Sequence, residues 1–149
     1  MIKSDNTKAV TFISENGYRE EKSWKELNNN TLKLIKFFKD NKIKEKDRIA
    51  AYTANQIETV ESFIATSAIG AIWSSCSPDF GTQGVIERFS QIKPKLLFIT
   101  DRYYYNGKEI NVLERLPAIL KKIKSIKSVL ITNNPGKKNL KQKKIKRKK

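Results

Sequence analysis

Gly70-Ala-Ile-Trp-Ser-Ser-Cys-Ser-Pro-Asp-Phe-Gly81 leads within a few residues into Arg88-Phe-Ser-Gln-Ile-Lys-Pro-Lys95. Ala71 to Ser75 reads as a short buried strand and the residues after it as a polar turn. The segment near Gly84 to Gln91 reads as a helix with Val85, Ile86 and Phe89 on one side, stopped by Pro94. Leu96-Leu-Phe-Ile99 is apolar at every position, as expected of a strand covered on both faces. Strand, helix and strand in this order predict a βαβ unit, whose right-handed crossover makes the two strands parallel.

The same alternation extends in both directions. Upstream, Val10 to Ile13 is a short apolar run, and Asn16-Gly17 is a hairpin signal. Ser23-Trp24-Lys25-Glu26 has the pattern of a capping box. Trp24, Leu27, Thr31, Leu34, Ile35 and Phe38 then recur at helical spacing and predict one apolar face. Ile49 to Tyr52 is a strand candidate. Ile57, Val60, Phe63, Ile64, Ser67 and Ala68 predict the buried face of a second helix, with Gly70 as its C-terminal glycine. Downstream, Asp101 to Glu109 reads as a loop, and Val112 to Ile123 as a helix kinked or restarted at Pro117. Ser128 to Thr132 is a last strand, ended by Asn133-Asn-Pro-Gly136. The predicted class is α/β: an incomplete Rossmann-like unit, a mainly parallel sheet with helices on its faces.

Composition narrows the chemistry. The 149 residues carry 31 Lys or Arg against 15 Asp or Glu, a formal net charge of +16. Nine of those basic residues lie in Lys137 to Lys149, which has no acid; the remainder carries only +7. There is no histidine, so no His-based triad, His acid–base pair or His-containing zinc site can be built from this sequence. The single Cys76 excludes an internal disulfide and fits a reducing, cytoplasmic setting. No apolar run approaches the roughly 20 residues of a membrane span.

The turn after Ser75 is the candidate site, because ligands of open α/β sheets bind beyond the C-terminal ends of parallel strands. The plainer expectation is a strand-to-helix connection in which Asp79 or a nearby polar side chain caps the next helix. Cys76 has no activating base within the sequence and is expected to be inert. No catalytic residue and no metal ligand is assigned.

Several of these segments resemble the adenylate-forming acyl-CoA synthetases, in particular their acetoacetyl-CoA synthetase branch. Trp24-Lys-Glu-Leu27 looks like the family's aromatic-x-Glu-Leu helix start. Ile43-Lys-Glu-Lys-Asp-Arg-Ile49 looks like its G-V-x-x-G-D-R-V connection, with lysine before Asp47. Asn55-Gln-Ile-Glu58 is similar to P-N-x-x-E, with alanine in place of proline, and Ala68-Ile-Gly-Ala71 to the end of the following helix. The signature Trp73, Ser74, Ser75, Cys76, Ser77, Pro78, Asp79, Phe80 and Gly81, with Tyr105-Asn-Gly-Lys-Glu109, resembles the acetoacetyl-CoA branch most specifically.

The resemblance implies ATP-dependent ligation of acetoacetate to CoA through an acyl-adenylate, with ATP, Mg²⁺ and CoA as the small-molecule partners. It also implies a CoA contact at Lys108. No stretch resembles the family's T-S-G-T-T-G-x-P-K phosphate loop, and the six glycines are unclustered. The expectation is therefore a truncated, inactive N-terminal fragment. Its parts would be an extension over 1–8, a partial AMP-dependent synthetase/ligase domain over 9–136 and a disordered Lys-rich tail over 137–149. The missing remainder of the enzyme would be a partner. The rival reading is a small basic protein that binds nucleic acid through that tail by counterion release.

Overall fold

The computed structural model describes residues 3–15, 17–134 and, for the backbone alone, 144–146. A hairpin of β1 (Lys8–Ile13) and β2 (Arg19–Ser23) leads into α1 (Trp24–Asp40). Then follow β3 (Arg48–Tyr52), α2 (Ile57–Ala68), β4 (Ile72–Cys76), α3 (Thr82–Ile92) and β5 (Leu96–Thr100). A second hairpin, β6 (Arg102–Tyr105) and β7 (Lys108–Asn111), precedes a 3₁₀ turn (Leu113–Arg115), α4 (Leu116–Lys122), β8 (Ser128–Thr132) and β9 (Lys144–Lys146).

The central sheet has the order β4-β3-β5-β8-β9, parallel throughout except for β9. Every residue of β5 is buried, as its unbroken apolar run predicts. Its alternate side chains serve opposite faces. Leu97 and Ile99 join Ala50, Tyr52, Val85, Phe89 and Ile119 under α3 and α4. Leu96 and Phe98 join Phe38, Ile49, Ala51 and Ala65 under α1 and α2.

Local chemistry sets the helix ends. Ser23 caps α1 by accepting the Glu26 N–H, and Glu26 Oε2 accepts the Ser23 N–H at 2.8 Å, the reciprocal box read from sequence. Gly70 leaves α2 at φ +68°, and a Cβ there would meet Glu45 Cγ at 2.8 Å. Pro117 sits in the first turn of α4, where its missing N–H costs no helical bond; the 3₁₀ turn before it is the expected restart.

Four expectations are corrected. β4 is an edge strand and not a buried one: Ile72 is 50% exposed, because only β3 flanks it. Asp101 to Glu109 is largely the β6–β7 hairpin, turned by Asn106 and Gly107, both at positive φ. The buried face of α2 is Ile57, Glu61, Ser62, Ala65 and Thr66, while Val60 and Phe63 are exposed. Small and polar residues face α1 and the sheet, and Phe63 is left edge-on to Trp73 at 6.1 Å. The N-cap of α3 is Gly81, with no side-chain cap, so Asp79 does not cap it.

The tail expected to be disordered lies outside the described residues apart from Lys144–Lys146, whose backbone pairs antiparallel with Ser128–Leu130. Among the described residues no helix is long and apolar enough to cross a membrane.

Candidate functional site

Strands β3, β4, β5 and β8 end at one edge of the sheet because they are parallel and in close register. The residues that follow them line a cleft of about 390 Å³, among them Thr53, Asn55, Ser77, Asp79, Tyr103 and Asn134. Two polar groups in this cleft are notable. Asn134 is buried, and its Oδ1 has no hydrogen-bond partner. Tyr103 has its phenol pushed up, chiefly by burial and next by the negative charge of Asp79.

The signature stretch divides between core and cleft. Trp73 packs toward α2 and the sheet, with its ring 6.1 Å from Phe63 and 6.2 Å from Phe98, and does not line the cleft. Ser75, Cys76, Ser77, Pro78 and Asp79 line it. Ser77 Oγ donates to Asp79 Oδ2 at 2.9 Å and accepts the Asp79 N–H at 3.4 Å, a local turn bond. Cys76 is buried and its thiol is pushed up by that burial, against a smaller opposing effect of Arg88.

What holds this loop was not read from the sequence. Tyr52, the last residue of β3, donates its hydroxyl to the Phe80 carbonyl at 2.6 Å. Arg115 Nη1 donates to the Pro78 carbonyl at 2.8 Å, to the Phe80 carbonyl at 3.1 Å and to the Tyr52 hydroxyl. Its guanidinium also lies 5.9 Å from the centre of the Tyr52 ring. On the outside, Arg88 lies 4.3 Å over the Phe80 ring. One arginine thus satisfies two loop carbonyls that would otherwise face a partly buried hydroxyl. No motif marks Arg115; its role comes from the 3₁₀ turn that carries it under the loop.

Asp101 is a second missed residue. It is 5% exposed and anchors the far wall. Its Oδ1 accepts the Asn134 N–H at 2.8 Å and its Oδ2 accepts Arg102 Nε at 3.0 Å. Arg102 Nη1 reaches Glu109 Oε1 at 2.7 Å, and Tyr104 donates to Glu109 Oε2 at 2.9 Å, tying the β6–β7 hairpin to the sheet edge. A charged residue closing the apolar run Leu96–Ile99, one position beyond Thr100, was the available signal. Lys108, by contrast, is exposed at the start of β7, opposite Tyr105 in the hairpin register, and is not among the cleft residues.

The model of the AMP-binding enzyme family matches residues 3–149. The chain belongs to the AMP-binding enzyme family. Within it the chain is similar to acetoacetyl-CoA synthetases. It is 40% identical to the protein of that name from Gallus gallus over 129 residues, which is 85% of this chain and 19% of that protein. The Xenopus tropicalis acetoacetyl-CoA synthetase is 49% identical over 89 residues, 60% of this chain and 13% of that one. Among solved structures, acetoacetyl-CoA synthetase from Streptomyces lividans superposes with a TM-score of 0.81 at 28% identity, covering 87% of this chain and 20% of that chain. The chain therefore spans about 19–20% of the length of family members that it matches over most of its own residues.

Proposed function

We propose that this chain is the N-terminal α/β portion of an enzyme that joins acetoacetate to CoA through acetoacetyl-adenylate, with ATP as the activating substrate. The observation that carries this reading is the signature loop. Ser75 to Asp79, within the stretch that most specifically resembles the acetoacetyl-CoA branch, lines a polar cleft at the C-terminal edge of the parallel sheet. The unpartnered Asn134 Oδ1 in the same cleft calls for a hydrogen-bond donor from a ligand or from further polypeptide.

Attack of a carboxylate on the α-phosphate builds negative charge that must be met by fixed donors. The sequence holds no Ser/Thr/Gly-rich loop ending in Pro-Lys to supply them. Among the described residues no group of three or more His, Cys, Asp or Glu side chains is placed to hold a metal ion. The proposal therefore includes the inactivity of these 149 residues by themselves. It also keeps Lys108 as a CoA contact, made from the hairpin tip and not from the cleft. Nothing in the described residues favours nucleic-acid binding over this reading.

Exchange of labelled pyrophosphate into ATP, driven by acetoacetate, tests both parts. The isolated chain should show none. Grafted in place of the matching 129 residues of the Gallus gallus protein, it should restore acetoacetate-dependent exchange. A soluble but inactive graft would overturn the ligase reading, and exchange by the isolated chain would overturn its inactivity.

A further inference from the structure

On the opposite side of the sheet from α3 and α4, the middle of α1 and the N-terminal half of α2 lie over β5 and β8. A second cleft of about 290 Å³ opens there. Its apolar floor is Phe37, Phe98 and Leu130, and its polar wall includes Lys22, Glu58 and Ser62. Lys22 is largely buried among three carboxylates: Glu61 Oε1 at 3.1 Å, Glu20 at 3.6 Å and Glu58 Oε1 at 3.6 Å. Asn30 Nδ2 also donates to Glu61 Oε1, at 2.8 Å. One ammonium thus faces three carboxylates, and Lys33 at the rim is exposed and leans on Asn30.

Two buried oxygens in this wall have no partner: Glu58 Oε2 and Ser62 Oγ. Ser62 is 0% exposed. A buried helical serine commonly donates to the carbonyl four residues earlier. Thr66, one turn on, does so to the Ser62 carbonyl at 2.7 Å, but Ser62 does not. An uncompensated buried hydroxyl and carboxylate oxygen are costly unless something donates to them.

We propose that this cleft is a binding site for a primary ammonium group on a short aliphatic stem. The ammonium has three donors, enough for Glu58 Oε2 and Ser62 Oγ together, and its charge offsets the excess of carboxylates around Lys22. The methylenes lie on Phe37, Phe98 and Leu130. A metal ion fits less well, because Lys22 already occupies the position between the carboxylates. The ligand with this chemistry is a free primary alkylamine. This inference does not rest on the ligase reading.

The test is an amide-resolved NMR titration of the full 149-residue chain with n-butylammonium chloride, using n-butanol at matched concentration as the uncharged control. Binding should shift amides of α2 around Ser62, with butanol at least tenfold weaker, and Glu58→Gln should weaken the ammonium at least tenfold. Ser62→Ala, which removes only a hydroxyl, should weaken it severalfold. No shift in α2, equal binding of butanol, or full binding by Glu58→Gln would overturn the proposal.

Discussion

The two faces of the sheet are built from the same strands and finished differently. Under α3 and α4 the packing is apolar apart from two tyrosines at its edge: Tyr52 sends its hydroxyl out to the loop carbonyls, and Tyr103 lines the first cleft. Under α1 and α2 an apolar cluster around Phe38 and Phe98 passes into Thr31, Ser62, Glu61 and the half-buried Glu58, three of them with unpartnered oxygens. Strand alternation delivers apolar side chains to both faces. What differs is the helix laid over each. α3 offers Val85 and Phe89, whereas α2 offers a glutamate, a serine and a threonine. The dry face holds the fold, and the wet face keeps polar groups in reserve.

The largest effect should come from breaking the dry face. Phe89 is fully buried, and Phe89→Ala should cost about 3–5 kcal/mol in urea unfolding, through lost transfer energy and the cavity left behind. A loss below about 1 kcal/mol would mean that this face is not tightly packed. Next in size is Arg115→Ala, which strips donors from the Pro78 and Phe80 carbonyls. It should cost about 1–3 kcal/mol and speed hydrogen exchange at Ser77 and Asp79, while amides of α1 keep their relative protection. Uniform acceleration across the chain would show that Arg115 supports the whole fold and not the loop in particular.

These contrasts also mark what could be read from sequence. β5 was legible because a strand buried on both faces is apolar at every position, and α1 because its capping box and its 3.6-residue period agree. The edge position of β4 was not, since strand order is set by crossovers and not by the strand's own residues. The Asn106-Gly107 turn carried the same signal as Asn16-Gly17, but its polar, tyrosine-rich flanks hid the strands. Periodicity also picked the wrong face of α2. Val60 and Phe63 attract the eye as core, yet the close approach to α1 is made by Ser62 and Ala65. Of the site, the turn after Ser75 was legible as a strand-end loop, although Cys76 still belongs to β4. Arg115, Asp101 and Asn134 were not, because tertiary contacts alone bring them there.

The smallest effect is the most discriminating. Burial pushes the Glu58 carboxyl up, and its own backbone hydrogen bond and the charge of Lys22 only partly oppose this. A raised folded value means that the fold favours the protonated form. That stability is fully present below the unfolded carboxylate range, near pH 4.3, and is lost as pH rises through the folded value. Glu58→Gln removes the titration while Lys22 keeps Glu61 at 3.1 Å and Glu20 at 3.6 Å. The variant should therefore match the parent in acid and exceed it near neutral pH, by less than about 1 kcal/mol, when unfolding is followed across pH. The dry face has no counterpart, since a substitution there removes packing and cannot add stability as the pH rises. If Glu58→Gln were instead less stable at neutral pH, the carboxylate would already have its full complement of partners. The contrast between a finished and an unfinished face would then fail at the residue that defines it.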